Sequence, residues 1–385
     1  MGVAEAAPIF LWVVVGIVYF QWELTNTKMN TSMLLRFLLF SLLCISLQGL
    51  QAQKPKYQGQ APISTTISTT PKPIQKQWKG QFDFEADKVS FSNDFKGGRL
   101  NGIINDGEGA YTALITSENT PINPSPWYAF KVWSDSSKTI SVTLTYQDSV
   151  KHRYYPKLSR DGANWTNLDS LRYTEYEKGD ADFGVGSLPL KVKLELEIGP
   201  DTLWVAGQEL EASTEVFQWM DALAEKKFVA QKKIGESREG RDLKVLTIGK
   251  DYGKHMLMVI SRQHPPEVTG YLAMKAFVEA MASDSKLAKK FRKKFSVHVV
   301  PLMNPDGVDN GHWRHNGGGV DLNRDWANFN HPETKAIKEF MAKQYVGSGG
   351  GTFYFGIDFH STRHDIYCTL DPSYEGNKPG LVQEC

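Results

Sequence analysis

The chain has 385 residues, 41% hydrophobic, 23% charged and 12% aromatic, with a formal net charge of +1. Those values exclude disordered, fibrous and polytopic membrane classes, and the near-neutral balance gives no electrostatic footprint for nucleic acid. Three cysteines, Cys44, Cys368 and Cys385, cannot build a disulfide scaffold or a four-thiolate zinc module, so any metal here relies mainly on His and carboxylate ligands.

Two apolar stretches crowd the N-terminus, Ile9 to Phe20 and Met33 to Leu50. The first is shorter than the ~20 residues a membrane helix needs. The second reads as a signal peptide: Lys28 and Arg36 supply positive charge, Phe37 to Leu47 the hydrophobic region, and Leu50-Gln51-Ala52 a cleavage site. A secreted or periplasmic protein is expected, with Met29 or Met33 as the start; the alternative is a membrane anchor formed by an uncleaved leader. Cleavage after Ala52 leaves Cys368 and Cys385, which can pair in an oxidising compartment if the fold brings them together.

Residues 53–77 are rich in Pro, Thr, Ser and Lys with few large apolar side chains, too few to offset the entropy of ordering, and read as a flexible tether. From 78 to 210 the hydrophobic period is two. Ile140, Val142, Leu144 and Tyr146 alternate with polar residues, as do Leu190, Val192, Leu194, Leu196 and Ile198. With turn clusters such as Asn105-Asp106-Gly107 and Gly199-Pro200 between them, these strands predict an antiparallel β-sandwich. Nothing in it reads as a catalytic constellation. Its aromatics, Trp127, Tyr128, Phe130, Trp133 and Trp165, suit a sandwich core better than a ligand platform.

After Glu211 helix and strand alternate. Val216, Met220 and Leu223 share a helical face, strands are expected at 243–248, 256–260, 297–302 and 353–359, and a helix at 268–281. Continuous apolar strands separated by helices indicate an α/β domain with its sheet covered on both faces, here 211–385. The basic run Lys286 to Lys294 reads as a solvated face, with Leu287 and Phe291 turned inward.

His264-Pro265-Pro266-Glu267 follows the buried strand that ends at Ile260-Ser261, so an imidazole at the strand end and a carboxylate in the next helix's first turn can converge. An H-x-x-E alone arises readily by chance. It is followed in order by Asn304-Pro305-Asp306-Gly307 after a second strand, Trp313-Arg314, Gly319-Val320-Asp321-Leu322-Asn323-Arg324-Asp325-Trp326, and Asp358-Phe359-His360-Ser361 after a third. Three of these sit at the C-terminal end of a predicted strand, where α/β sheets place their sites.

Over 211–367 the ordered set resembles the zinc metallocarboxypeptidase family, whose catalytic domain is carboxypeptidase A-like. The resemblance implies an α/β/α domain with a mixed sheet and one Zn2+ held by His264, Glu267 and His360. It implies Asp321 as the carboxylate that fixes the first His tautomer, and Arg314 as the arginine that polarises the scissile carbonyl. Asn323 and Arg324 match the pair that clamps a substrate's free α-carboxylate, which makes such an enzyme an exopeptidase acting on peptide or protein C-termini through a metal-activated water. His312, His315 and His364 match no ligand position and read as bystanders. The upstream sandwich, with Trp127 to Trp133, is similar to the cytosolic carboxypeptidase branch.

The family's general base is a glutamate several dozen residues beyond the last zinc His, with a tyrosine before it. Only 25 residues follow His360, and their two glutamates, Glu375 and Glu384, match neither that distance nor that context. The expectation is a C-terminally truncated catalytic domain with little activity as it stands, since general acid-base assistance contributes roughly 10² to 10⁴-fold. The competing readings are a catalytically silent zinc or peptide-binding protein and a zinc amidohydrolase of the aspartoacylase type.

Overall fold

Strands whose side chains alternate between core and solvent build two sheets that share one buried core. A computed structural model describes residues 58–60, 70–119, 125–147, 150–182, 186–361 and 368–370. The leader at 1–52, its start at Met29 or Met33, most of the tether, His364, Glu375, Glu384 and any pairing of Cys368 with Cys385 lie outside the described residues. Among those that are described, no helix is long and apolar enough to cross a membrane.

The first sheet runs, in hydrogen-bonded order, Tyr173–Asp182, Gly186–Ile198, Lys138–Tyr146, Ala110–Ile115, Gly102–Gly107. Its long strands pair Leu194 with Val142 and Leu196 with Ile140, so the two apolar sets fall on one face. The second sheet runs Gln81–Phe84, Val89–Ser92, Ala129–Ser134, Leu203–Ala206, Lys157–Ser159, Thr166–Asn167. Phe91, Phe130 and Val132 of this sheet join Leu144, Leu194 and Leu196 of the first in one buried cluster, the core of a sandwich that is not wholly antiparallel as expected, because Ala110–Ile115 pairs in parallel with Lys138–Tyr146. Of the five aromatics read as core, Trp127, Tyr128 and Phe130 are buried there and Trp165 packs against the cluster, whereas Trp133 is only half-buried.

The second layer system is a mixed five-stranded sheet. Its strands are β1 (Val229–Glu236), β2 (Asp242–Ile248), β3 (His255–Ser261), β4 (Ser296–Val300) and β5 (Thr352–Phe359), in the order β1-β2-β4-β3-β5. The three central pairings run β2 antiparallel and β3 parallel to β4, with β3 parallel to β5. Helices α1 (Ser213–Ala224) and α2 (Val268–Met281) cover one face, where Val216, Met220, Tyr271 and Met274 meet Leu257, Val259, Val297 and Val299. Helix α5 (Pro332–Gly347) covers the other, with Ile337 and Phe340 on Met258, Ile260 and Val300. Short helices α3 (Lys286–Arg292) and α4 (Pro305–Asp309) belong to this layer system as well.

Two local readings change. The edge strand β1 was not expected, because its run from Ala230 to Lys233 is exposed and shows little apolar alternation; antiparallel pairing with β2 decides it. Leu287 does not turn inward but is 63% exposed, and Ala288 is buried in its place, while Phe291 packs on the core as expected.

Sandwich and α/β layers lie in one compact unit, 59–385. Trp313, from the α/β segment, is fully buried within the sandwich core and donates from Nε1 to the Trp127 carbonyl at 3.0 Å. Gly311 (φ +66°) is where the two backbones nearly touch: a Cβ there would stand 2.6 Å from the Gly98 carbonyl oxygen. Only glycine fits that approach and that φ.

Candidate metal centre

β3 and β5 run parallel with Ser261 opposite Phe359, so both strands deliver their carboxyl ends to the same edge of the sheet. His264 lies in the turn after β3, with Pro265 and Pro266 still in that turn, and Glu267 is the residue immediately before α2. His360 is the first residue past β5. Helix α2 packs tightly against that point: a Cβ on Gly270 would meet the His360 carbonyl oxygen at 2.5 Å. Ser361 secures the contact, its hydroxyl accepting from the Gly270 N–H at 2.8 Å.

Nδ1 of His264 stands 3.0 Å from Oε1 of Glu267, and Nδ1 of His360 stands 2.7 Å from Oε2 of the same carboxylate. The three ligand atoms lie within 4.8 Å of one another. Each imidazole is held from behind by a second carboxylate. Nε2 of His264 is 2.9 Å from Asp321 Oδ1, and Nε2 of His360 is 2.7 Å from Asp358 Oδ2. Carboxylates flank both nitrogens of each ring; in the form that ligates a metal, each Nε2 keeps its hydrogen for Asp321 or Asp358 and each Nδ1 gives up its own and faces the shared point. His264 and Glu267 are buried and His360 partly so, with its side chain 23% exposed on the open side.

Asp321 also accepts from Nε of Arg314 at 2.7 Å, and caps the turn Leu322–Arg324 by accepting from the Asn323 N–H at 2.9 Å. Thus five predicted residues, His264, Glu267, His360, Asp321 and Arg314, form one connected cluster. Asn323 and Arg324 lie in the turn that Asp321 caps, both half-buried, with Arg324 Nη1 donating to the Asn323 carbonyl at 3.3 Å.

With both imidazoles neutral, as metal ligands must be, three carboxylates against one guanidinium leave two negative charges over, the balance a divalent cation would neutralise. Burial works against the charged form of Glu267, but the hydrogen bonds and charge of His264 and His360 outweigh it and hold the carboxyl well below its usual range. Asp321 is held low in the same way by His264 and Arg314, against its own burial. Burial also opposes the charged ring of His360, yet Asp358 and Glu267 push it up to about 10. Two imidazole nitrogens and a carboxylate with an open side are the donor set of a catalytic zinc, and the residues fit that ion.

Sequence reasoning missed three members of this site. Asp358 was quoted in its motif without a role, although residues i and i+2 at a strand end face the same way. Gln263 donates from Nε2 to Asp358 and is itself held by Trp326 Nε1, which donates to its Oε1 at 2.9 Å. Glu118 comes from the sandwich and carries no local signal at all; His315, which is not one of the trio, lies with Nδ1 2.7 Å from its Oε1.

The zinc carboxypeptidase family model (Peptidase_M14) matches residues 216–379, a span that contains every residue of the trio and of the turn after Asp321. Residues 216–379 are a zinc carboxypeptidase domain. Among curated proteins, an uncharacterized protein of Zymomonas mobilis is 25% identical over 261 residues, which cover 66% of this chain and 64% of that protein. Mouse cytosolic carboxypeptidase 6 is 28% identical over 156 residues, 37% of this chain and 29% of that one. The chain therefore spans less than two thirds of these relatives. Two solved structures share the fold at a TM-score of 0.58: a metallo-carboxypeptidase from Burkholderia cenocepacia (20% identity, 71% of each chain) and one from Pseudomonas aeruginosa (21% identity, 74% of each). Both likenesses reach beyond the zinc carboxypeptidase domain, whose 216–379 are under half of the chain.

Proposed function

We propose that the chain is a zinc-dependent metallocarboxypeptidase that hydrolyses the C-terminal peptide bond of peptides or proteins. The observation that carries this reading is the convergence of His264 Nδ1, His360 Nδ1 and the Glu267 carboxylate, each imidazole backed by its own carboxylate. A Zn2+ held by these three residues would supply a Lewis acid and lower the pKa of a water at that point.

The remaining work falls to the chain's own side chains. Asp321 and Asp358 hold the imidazoles in the tautomer that presents Nδ1. Arg314 commits Nε to Asp321, and its terminal nitrogens are the donors for the carbonyl oxygen as charge develops there. Arg324, with Asn323, binds the free α-carboxylate of the substrate, for which a planar guanidinium is suited. Glu267, Asp321 and Asp358 are each held by imidazole, so none of these three is free to serve as the proton-accepting base. Export belongs to the same proposal and rests on the Phe37 to Leu47 leader; a fusion of residues 1–60 to a reporter that stays in the cytosol would contradict it.

The clamp is tested by binding. The zinc-loaded chain is titrated with a fluorescent peptide and with its C-terminally amidated twin. The free acid binds at least about tenfold more tightly, the discrimination expected when a charge-assisted pair is lost; equal binding contradicts an exopeptidase.

A further inference from the structure

Glu118 lies in the sandwich, just past the strand Ala110–Ile115 and 195 residues before Trp313. Its side chain is fully buried. Oε2 accepts from the backbone N–H of Trp313 at 2.7 Å, and Oε1 accepts from those of Arg314 at 3.0 Å and His315 at 2.9 Å. The same oxygen lies 2.7 Å from the His315 ring, and Arg99 Nη2 stands 3.7 Å from Oε2. Arg99 in turn donates from Nε to the Gly311 carbonyl at 2.7 Å, tying the start of the same loop.

One carboxylate thus takes three consecutive backbone N–H groups, the way a backbone nest encloses an anion, except that here the anion belongs to another layer of the fold. Burial opposes its charge, but His315, His312 and Arg99 outweigh it and keep the carboxyl ionised. The arrangement is costly, and anchoring the loop does not require it, because Trp313 already fills the sandwich core and holds the Trp127 carbonyl. What Glu118 adds is the placement of three consecutive backbone nitrogens, that of Arg314 in the middle. The far end of that residue is fixed by Asp321, so Arg314 is held at two points, one from the sandwich and one from the zinc carboxypeptidase domain.

The geometry points to Glu118 as a positioning residue for Arg314, which makes the sandwich a working part of the peptidase site and not an appended module. The inference rests on the zinc carboxypeptidase reading above. A guanidinium that must meet an oxyanion within a few tenths of an ångström needs its main chain fixed as well as its tip, and Glu118 supplies that constraint.

The test is a double-mutant cycle on the full chain, with Glu118→Gln, Arg314→Met and both together. The ligand is a phosphinic peptide with a free C-terminal carboxylate, whose tetrahedral anion stands in for the charge Arg314 is to meet. Glu118→Gln keeps zinc stoichiometry and weakens the phosphinate by about tenfold, the low end of what losing an orienting partner costs; in the Arg314→Met background it costs nothing further. The same loss in both backgrounds, or no loss in either, overturns the assignment. A second readout needs no metal: amide exchange at Trp313, Arg314 and His315 speeds up in Glu118→Gln, and unchanged protection there also overturns it. If Glu118→Gln does not fold, Glu118→Asp, which keeps the charge but withdraws it by one methylene, carries the same cycle. A wild-type chain that takes up no zinc would instead sink the reading on which the inference rests, while leaving the exchange result to decide the clamp.

Discussion

Asp321→Asn is the substitution whose cost can be worked out most directly from the geometry. Oδ1 of Asp321 accepts from His264 Nε2 and from the Asn323 N–H, both at 2.9 Å, and Oδ2 accepts from Arg314 Nε at 2.7 Å. Asparagine has one acceptor. With its NH2 toward Arg314 it leaves a buried guanidinium without its carboxylate, a loss of about 3–5 kcal/mol for a broken buried pair. With its NH2 toward His264 and Asn323 it leaves two donors unmet at about 1–3 kcal/mol each. Both orientations therefore cost ~2 kcal/mol or more, a sizeable share of the ~5–15 kcal/mol that holds a domain folded. His264 can relieve the second orientation only by moving its proton to Nδ1, the atom it offers to the metal. Zinc affinity then falls by roughly 10 to 100-fold. Chelator competition measures the affinity and urea denaturation of the metal-free chain measures the stability. A variant within twofold of wild type in affinity and with the same denaturation midpoint would refute the reasoning.

Other substitutions probe other links. Gly270→Ala in α2 should gain helix propensity of up to ~1 kcal/mol, yet its Cβ would sit 2.5 Å from the His360 carbonyl oxygen, so lower thermal stability and weaker zinc uptake are expected; a stabilised variant with unchanged uptake contradicts the tight α2–β5 contact. Asp358→Ala frees Nε2 of His360 and should weaken zinc binding without affecting the sandwich, read as unchanged near-ultraviolet dichroism of its aromatics. Trp313→Ala empties a fully buried site at a cost of about 3–5 kcal/mol, so sandwich and α/β layers should lose stability together in one transition; a shift confined to one set of amides would be inconsistent. Burial holds the imidazole of His298 down at about 4, below the 6.5 of an unhindered histidine. The unfolded chain thus binds the extra proton, and this contribution is complete above pH 6.5 and drains away as pH falls toward 4. His298→Phe should flatten that fall, and parallel stability curves for the two proteins would exclude it.

Much of this was legible in the order of residues, for reasons of range. The period-two runs around Val142 and Leu194, and the apolar β3 and β4, answer to local alternation and burial, and the helical face of Val216, Met220 and Leu223 answers to spacing. The metal trio was legible because each member sits in a motif at the end of a strand, where the chain itself announces a site. Glu118 was not, since its five side-chain contacts go to four residues elsewhere in the sequence and nothing beside it marks a carboxylate that will be buried. Strand β1 escaped because pairing with β2, not its own pattern, makes it a strand. Leu287 was placed inside by helical spacing alone, which cannot say which face of a short basic helix meets the core.

The central claim is that His264, Glu267 and His360 hold one zinc, and metal analysis tests it most directly. After dialysis against zinc and then against metal-free buffer, the account predicts one Zn2+ per wild-type chain and a loss of that metal in His264→Ala, with His360→Ala behaving alike. A wild-type chain that retains no zinc, or a His264→Ala variant with the same zinc content as wild type, would contradict it.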